Sequence, residues 1–333
     1  NLLLQPRDYL SSFFLYFGLL VGGISALISA KPLDSIPAFT TFSAKLIGPA
    51  GALQPSPFWP TVPLIIACGA LSGFHSLVAS GTSAKQLKEE KDGLFVGYGA
   101  MLVEGFLATL VIISIASFGA AALGDKLMAT PALGRFVNSF AMMVSTNLPF
   151  LPMSFMTLFT AVWVSTFALT TLDTTNRLGR YIVQEMAEPL KEKNPSSYKF
   201  FSNKWVASIL IAFLGIFLAW SGGYSTMWPA FSGANQLLAS VVMLTMAIWV
   251  KKKLNPKYVM SVLIPAAFLW ITVTVALIWY EIVIVPVFFA DASKTMNIVT
   301  GIIVGIINLF MLILNFIMIN SFLKNYKLKP ETA

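Results

Sequence analysis

Residues 69–86 read Gly-Ala-Leu-Ser-Gly-Phe-His-Ser-Leu-Val-Ala-Ser-Gly-Thr-Ser-Ala-Lys-Gln, and they interrupt an apolar segment that is otherwise of membrane-spanning length. The stretch contains the only histidine of the chain, His75, together with three glycines and several hydroxyl side chains. A helix in lipid must satisfy its own backbone polar groups, so such an interruption is tolerated only where it lines a cavity or is buried in protein. Polar groups in that position mark a substrate or ion path. The sequence therefore predicts a discontinuous helix near residues 60–80.

The composition excludes an ordinary soluble protein. Hydrophobic residues make up 57% of the 333 residues and charged residues 11%, with a mean hydropathy of +0.78. A soluble domain has about 25% charged residues. The single cysteine, Cys68, excludes a disulfide framework and a zinc cluster built on thiolates. We expect neither a metal site nor a cofactor.

The apolar pattern predicts an all-α polytopic membrane protein with about eight transmembrane helices, since about 20 apolar residues cross a bilayer. The predicted spans are 9–29, 60–80, 94–118, 153–177, 203–221, 229–250, 258–280 and 297–322. A short amphipathic helix is expected near 131–145, within the connection that follows the third span. The pairs Gly18 with Gly22 and Gly301 with Gly305 have the four-residue spacing that lets membrane helices approach closely.

The distribution of basic residues predicts the orientation of these spans. Threading the chain back and forth places 17 of the 22 Lys and Arg residues on one side. The positive-inside rule then assigns both ends of the chain, and the charged surface connection 181–202, to the cytoplasm. The net charge of +8 reflects topology and attraction to lipid headgroups, so no nucleic-acid partner is expected.

Candidate ligand-binding residues lie in the interrupted segment: Gly69, Ser72, Gly73, His75 and Ser76. Gly69, Gly73 and Ser76 share one narrow face if the helix is continuous. If the glycines instead break the helix, free carbonyls and amides become available to hold an ion or a carboxylate. The alternative for His75 is a neutral histidine that forms a hydrogen bond between helices.

Glu104 and His75 are the candidates for proton coupling. Glu104 lies near the middle of the third span, where a lone carboxylate costs about 2.5–3.5 kcal/mol on translocon scales. Protonation, a partner such as His75 or a bound cation would compensate for this cost. His75 can take up or lose a proton in the physiological pH range. A buried structural hydrogen bond is the alternative role for Glu104.

A polar stripe ends the fourth span, with Thr166, Thr170, Thr171 and Asp173 as candidate oxygen ligands for a cation or as a proton relay. The alternative is an ion pair between Asp173 and Arg177, four residues apart and facing the headgroups. In the sixth span we expect Asn235 and Gln236 to form interhelical hydrogen bonds rather than ligand contacts.

Five runs of the sequence, in this order, resemble the carbon starvation protein A family of bacterial inner-membrane transporters. They are Leu4-Gln-Pro-Arg-Asp-Tyr9, Ala67-Cys-Gly-Ala-Leu-Ser-Gly-Phe-His75-Ser, Gly97-Tyr-Gly-Ala-Met-Leu-Val-Glu104-Gly, Phe167-Ala-Leu-Thr-Thr-Leu-Asp173-Thr and Trp228-Pro-Ala-Phe-Ser-Gly-Ala-Asn-Gln-Leu-Leu238. The resemblance implies a fold of the amino acid–polyamine–organocation superfamily, a LeuT-like inverted repeat whose sixth core helix is the broken segment. It also implies a location in the bacterial inner membrane.

If the broken segment 60–80 is the sixth core helix of the family fold, the first core helix would precede Asn1. Residues 1–333 would then be a single transmembrane transporter domain, the C-terminal portion of a longer chain, with missing N-terminal helices as partners. The resemblance further implies secondary active transport: proton-coupled uptake of peptides or pyruvate under carbon starvation, with H⁺ as coupling ion and Na⁺ as the alternative. A non-transporting nutrient sensor of the same fold is another alternative.

Two other classes fit the sequence less well. A channel needs a symmetric ring or a pore-lining repeat, and the sequence contains no such repeat. An enzyme needs a nucleophile with its base, or a metal set. The sequence has one histidine and none of the His-Glu-x-x-His or Gly-x-Ser-x-Gly motifs. We expect no catalytic residue and no enzymatic activity.

Overall fold

The computed structural model describes residues 4–29, 31–36, 43–47, 53–220, 223–290 and 295–327. The chain is almost entirely helical, as the apolar runs predict. In chain order its elements are α1 (Leu4–Ile28), β1 (Ser43–Ile47), β2 (Leu53–Pro57), α2 (Phe58–Ala70), α3 (Gly73–Gly81), α4 (Ala100–Leu123), α5 (Ala132–Asn147), α6 (Met153–Ala187), α7 (Leu190–Lys193), α8 (Pro195–Phe201), α9 (Lys204–Trp220), α10 (Gly223–Lys253), α11 (Val259–Trp279) and α12 (Thr295–Lys327).

Wider and tighter helical turns extend some of these helices. A π-helical turn, Leu94–Gly99, precedes α4. After α11 the chain continues through a second π-helical turn, Tyr280–Ile284, and then a 3₁₀ turn, Val285–Phe289. These turns carry the apolar element that begins near residue 256 on to residue 289, nine residues beyond the predicted end of the span at 280.

Six helices in the described part of the chain are long and apolar enough to cross a membrane. A bent pair, Pro195–Phe201 with Lys204–Phe217, makes a seventh if its two parts form one span. The predicted span 60–80 is present as two pieces of 13 and 9 residues, each too short to cross alone. The protein is therefore a polytopic α-helical membrane protein, while the predicted count of eight spans is not confirmed.

A small β-hairpin departs from the all-α expectation. β1 and β2 pair antiparallel within the connection 30–59, with Ser43 opposite Pro57 and Ile47 opposite Leu53. This hairpin was not predicted, because the segment is rich in proline, which cannot donate a ladder hydrogen bond and is uncommon inside sheets.

The described chain divides into two compact units. The first comprises Asn1–Phe39 and Leu87–Ile211, and the second Thr40–Gln86 and Ala212–Ala333. The prediction that residues 1–333 form one transporter domain is not tested by this division and stays a prediction. The same is true of the predicted cytoplasmic connection 181–202, which contains the end of α6 together with α7 and α8.

The core of the first unit is built around α5, which confirms the predicted amphipathic helix. Phe136, Phe140, Met143 and Val144 of α5 are buried, at the three- and four-residue spacing of one helix face. Phe140 packs edge-on against Trp163 of α6, with ring centroids 5.7 Å apart. The amphipathic helix is thus a core element of its unit.

The second unit has its core between α10, α11 and α12. Its fully buried side chains include Val273, Leu277, Ile284, Phe288 and Val304. The indole nitrogen of Trp59, at the start of α2, donates to the hydroxyl of Thr272 on α11 over 3.2 Å.

Close glycine contacts occur at both predicted glycine pairs. A Cβ on Gly18 would lie 2.5 Å from the ring of Trp163, and one on Gly22 would lie 2.6 Å from the ring of Phe140. In the second unit, a Cβ on Gly301 would lie 2.6 Å from the Cβ of Phe288. The four-residue glycine spacing therefore does mark positions where helices approach closely.

Candidate functional site

The predicted discontinuity lies between α2 and α3, at Leu71 and Ser72. Ser72 has an extended backbone, with φ −114° and ψ 130°, and forms the N-cap of α3. Its hydroxyl oxygen accepts a long hydrogen bond from the backbone N–H of His75, at 3.4 Å. Serine is a preferred cap because its oxygen satisfies one of the free donors at a helix start. The predicted discontinuity near residues 60–80 is confirmed, but it is formed by Ser72 and Gly73 rather than by Gly69 and Gly73.

A residue from another helix stabilises this break. The side-chain oxygen of Asn235, on α10, accepts from the backbone N–H of Phe74 at 2.8 Å and from the hydroxyl of Ser72 at 3.1 Å. Asn235 is buried, with 5% of its surface exposed. The predicted interhelical role of Asn235 is confirmed. Gln236, beside it, is fully buried.

Gly73 allows α3 and α10 to meet backbone to backbone. A Cβ at this position would collide with the carbonyl oxygen of Asn235 and would lie 2.6 Å from the Cβ of Leu238. By contrast, a Cβ on Gly69 would meet no atom within 4 Å. The two glycines therefore differ in role: Gly73 is required by packing, whereas the surroundings of Gly69 are open.

The continuous small-residue face is not formed, because the break separates Gly69 from Gly73. Within α3, the hydroxyl of Ser76 donates to the carbonyl oxygen of Gly73 at 2.6 Å. Of the two alternatives, the structure has the broken helix. The amides of Phe74, His75 and Ser76 are occupied, however, so these three are not free to hold a carboxylate or another anion.

His75 is exposed on α3, and its ring contacts Phe74, with centroids 5.9 Å apart. Within the described part of the chain, the imidazole makes no hydrogen bond. The alternative of a histidine bonded between helices is therefore not what the structure shows. The expectation that His75 is buried is wrong for this chain.

Glu104 lies in the first turns of α4 and is also exposed, which contradicts the expectation that it is buried. Its neighbours Val103 and Phe106 are exposed as well, although the ring of Phe106 reaches α1, where a Cβ on Gly23 would lie 3.0 Å from it. His75 and Glu104 belong to different units, and their pairing and their role in proton coupling stay predictions.

The polar stripe of α6 has a local explanation in the structure. The hydroxyls of Thr166 and Thr170 donate to the carbonyls of Trp163 and Phe167, at 2.9 and 2.7 Å. Thr171 is exposed. Asp173 accepts from Arg177 at 3.1 Å, the ion pair that the four-residue spacing allowed. A cation-binding role for the stripe stays a prediction.

Sequence reasoning missed a second polar cluster, at the π-helical turn that follows α11. The Nδ2 of Asn308, on α12, donates to the Oε2 of Glu281 at 2.8 Å and to the carbonyl of Leu277 at 2.9 Å. With the span predicted to end at residue 280, Glu281 falls at its boundary and looks like an ordinary end charge. The signal that could have revealed it is the uncharged run that continues through residues 282–290.

No group of three or more His, Cys, Asp or Glu side chains that could hold a metal ion occurs among the described residues. The side chains of Cys68, Trp228 and Pro229 lie outside the described residues.

The helices and the broken segment define the class of protein: a multi-pass α-helical membrane protein with an interrupted helix held by a neighbouring helix. The chain belongs to the carbon starvation protein CstA family, which matches residues 1–147 and 120–277. This match confirms the family that the sequence runs predicted. Its curated members described below carry transporter names rather than enzyme names.

Curated relatives carry transporter names. The chain is 30% identical to the peptide transporter CstA of Bacillus subtilis (strain 168), over 98% of this chain and 57% of the relative. It is 27% identical to the pyruvate/proton symporter BtsT of Escherichia coli (strain K12), over 83% of this chain and 48% of the relative. The peptide transporter CstA of the same strain is also 27% identical, over 81% and 45%. The chain spans about half the length of these relatives. No solved structure matches it.

Proposed function

We propose that this chain forms part of a secondary active transporter that couples the uptake of peptides or pyruvate to the proton gradient. The observation that carries the proposal is the broken helix α2–α3, whose gap is stabilised by Asn235 of α10. Interrupted helices in transporters lie where substrate and coupling ions bind. The names of the relatives support both substrates, and the name of BtsT supports the proton as coupling ion. Uptake of such nutrients fits a role in carbon starvation, the condition after which the family is named.

The contacts of the candidate residues favour a different role for each of them. Ser72 and Gly73 hold the break and the α3–α10 contact, so we assign them a positioning role. Ser76 bonds to its own helix. Gly69 and His75 are the candidates left with open surroundings. Pyruvate and peptides each carry a carboxylate. Because Asn235 and the Ser72 cap already occupy the amides of Phe74 and His75, the proposed carboxylate contact is the ring of His75.

The proposed setting is a LeuT-like inverted repeat in the bacterial inner membrane, with both chain ends in the cytoplasm and with further helices of the same protein completing the site. Surrounding lipid and the small-molecule substrate are the proposed partners. Glu104 is the proposed proton acceptor that works with His75. The stripe of α6, with Thr166, Thr170, Thr171 and Asp173, is the place where a Na⁺ ion would bind if sodium were the coupling ion.

The test is uptake of labelled pyruvate and of a labelled dipeptide by cells that lack their own carriers and express the complete protein. We expect accumulation of at least one substrate that collapses when a protonophore is added. Glu104→Gln and His75→Gln should each abolish accumulation while the protein still reaches the membrane. Glu192→Gln, an exposed carboxylate on α7, is the matched control and should transport normally.

Three results would contradict the proposal. Accumulation that resists the protonophore but requires sodium would favour the stripe of α6 and a sodium symporter. Absence of uptake of either substrate would favour another substrate or a sensor role. Normal accumulation by Glu104→Gln across pH would remove Glu104 from proton coupling.

A further inference from the structure

Glu281 is an isolated carboxylate in a widened helical turn. Between Lys257 and Asp291 it is the only Asp, Glu, Lys or Arg residue. It lies in the π-helical turn Tyr280–Ile284, where the N–H of Val285 bonds to the carbonyl of Tyr280, five residues earlier. Single π-helical turns within α-helices occur frequently at functional sites. The turn therefore needs an explanation beyond the packing of α11.

The contact with Asn308 indicates the depth of Glu281 in the membrane. Residues 295–323 of α12 contain no charged side chain, and their midpoint, residue 309, is next to Asn308. A helix that crosses a bilayer centres such an uncharged run in the hydrocarbon. Because Oε2 of Glu281 is 2.8 Å from Nδ2 of Asn308, we place both side chains within the hydrocarbon layer. An ionisable residue at that depth marks a functional site by default.

No basic side chain faces Glu281 from the elements packed against it. These elements are α11, the turn Val285–Phe289 and α12. The first two contain no titratable residue, and Tyr280 is the titratable neighbour within the π-helical turn. On α12 the titratable residues are Lys324, Tyr326 and Lys327. Lys324 is 16 residues beyond Asn308, or about 24 Å along the helix at 1.5 Å per residue.

The basic residues of α10 are equally remote. They are Lys251, Lys252 and Lys253, in its last turn. Lys251 donates to the carbonyl of Tyr326, so these lysines lie at the same end as Lys324. The charge of Glu281 is therefore not neutralised by a residue of these helices. Within the described elements, a proton or an external cation is what remains to compensate this charge.

Asn308 is suited to solvate both forms of the carboxyl group. It is fully buried, and both hydrogens of Nδ2 are used, on Glu281 and on the carbonyl of Leu277. Its Oδ1 is buried without a hydrogen-bond partner among the described residues. Such an orphaned acceptor is costly in a low-dielectric interior. A carboxylic acid O–H on Glu281 is a donor that it could accept from.

We propose that Glu281 and Asn308 form a membrane-embedded proton-binding site. In the ionised state, the carboxylate accepts from Nδ2 of Asn308. When one proton binds to a carboxylate oxygen, the charge is lost, and rotation of the amide presents Oδ1 to the new O–H. The carbonyl of Leu277 keeps a backbone partner in both states, because the N–H of Tyr280 also bonds to it. Release of the proton reverses the rotation.

The surroundings favour a proton over a metal cation. Sodium needs several oxygen ligands, whereas the described contacts supply one carboxylate and one amide oxygen. Gly305 lies against the other carboxylate oxygen, with its Cβ position 3.6 Å from Oε1 of Glu281, and it offers no side-chain ligand. The role of this site in transport rests on the proposed function, but its protonation does not.

Infrared difference spectra of the purified complete protein, acidic minus alkaline, test the site directly. We expect a carboxylic acid carbonyl band that Glu281→Gln removes and Glu188→Gln, an exposed carboxylate at the end of α6, leaves in place. Glutamine at this position keeps a side-chain oxygen that can accept from Nδ2 of Asn308, so we expect the variant to fold. Glu281→Asp is the second variant and should shift the band without removing it.

An unchanged band in Glu281→Gln would overturn the proposal. So would loss of the band when sodium is added at constant pH, which would show a cation competing for the carboxylate. In cells, Glu281→Gln should lose protonophore-sensitive accumulation but retain exchange of labelled for unlabelled substrate. If the unmodified protein accumulates neither pyruvate nor dipeptide, the proposed function fails, and the infrared result still decides the proton site.

Discussion

The side-chain oxygen of Asn235 lies 2.8 Å from the backbone nitrogen of Phe74 and acts as the acceptor that the broken helix lacks. A helix start leaves its first N–H groups without intrahelical partners, and lipid supplies none. The acceptor comes from a residue 161 positions away in sequence. The break between α2 and α3 is therefore a tertiary feature, fixed by α10 as much as by its own serine and glycine.

Replacement of Asn235 should destabilise the protein through the break. Asn235→Leu leaves the N–H of Phe74 and the hydroxyl of Ser72 without their acceptor, which costs about 1–3 kcal/mol in a buried position. We expect a lower midpoint of thermal unfolding in detergent and faster hydrogen exchange in α3. The control is Ser240→Ala, which removes a buried hydroxyl of the same helix that bonds only to the carbonyl of Gln236. An effect of Asn235→Leu no larger than that of Ser240→Ala would contradict this role.

The two glycines that flank the break should respond oppositely to alanine. Gly73→Ala places a methyl group against the backbone of Asn235 and 2.6 Å from the Cβ of Leu238, so we expect a loss of about 1–3 kcal/mol, as for other overpacked sites. Gly69→Ala adds its methyl group in open space and should be neutral or slightly stabilising. The measurement is the yield of folded protein and its thermal unfolding midpoint. Equal effects of the two substitutions would show that Gly73 does not fix the α3–α10 contact.

The sequence predicted the positions of the helices and of the break for different physical reasons. Apolar runs of spanning length have few stable arrangements other than helices in a membrane. The break was predictable because glycines and hydroxyl side chains interrupt the apolar run, whereas the capping role of Ser72 was not predicted. The partner Asn235 was predicted to bond between helices, but its target was not, because local patterns carry no information about which helices become neighbours.

The environments of the candidate residues were predicted less well. His75 and Glu104 were expected to be buried because each lies within an apolar run. A residue in an apolar run is buried only if another helix covers it. The run alone does not show this, because the lipid-facing side of a membrane helix is apolar too. Glu281 was missed because the helical element continues through a π-helical and a 3₁₀ turn, which periodicity at 3.6 residues does not detect.

Contact between α1 and α6 should depend on Gly18. A Cβ at this position would lie 2.5 Å from the ring of Trp163. Trp163 in turn packs against Phe140. Gly18→Ala should therefore displace the indole and destabilise the first unit by about 1–3 kcal/mol. The matched control is Gly105→Ala on α4, whose added Cβ meets nothing within 4 Å. Thermal unfolding followed by tryptophan fluorescence checks this, and an unfolding midpoint for Gly18→Ala as high as for Gly105→Ala would contradict it.

The ion pair between Asp173 and Arg177 should contribute little to stability. Arg177 and Asp173 are 39% and 30% exposed, and the pair follows an uncharged run of 20 residues, 153–172, so it faces the membrane boundary. Partly exposed pairs contribute roughly 0–1 kcal/mol. A double-mutant cycle with Asp173→Asn and Arg177→Gln should give a coupling energy within that range. If Asp173→Asn instead changes the cation dependence of uptake while Arg177→Gln does not, Asp173 is a cation ligand and the pair is secondary.

The distribution of lysines predicts which side of the membrane each loop faces. Lys193, on α7, belongs to the lysine-rich side, whereas Lys126 belongs to the side with few basic residues. Both side chains are exposed. In a Cys68→Ser background, Lys126→Cys should react with a membrane-impermeant thiol reagent added to intact cells, and Lys193→Cys should react only in inside-out vesicles. Because basic residues near the ends of spans are retained in the cytoplasm, labelling of Lys193→Cys from outside would reverse the orientation.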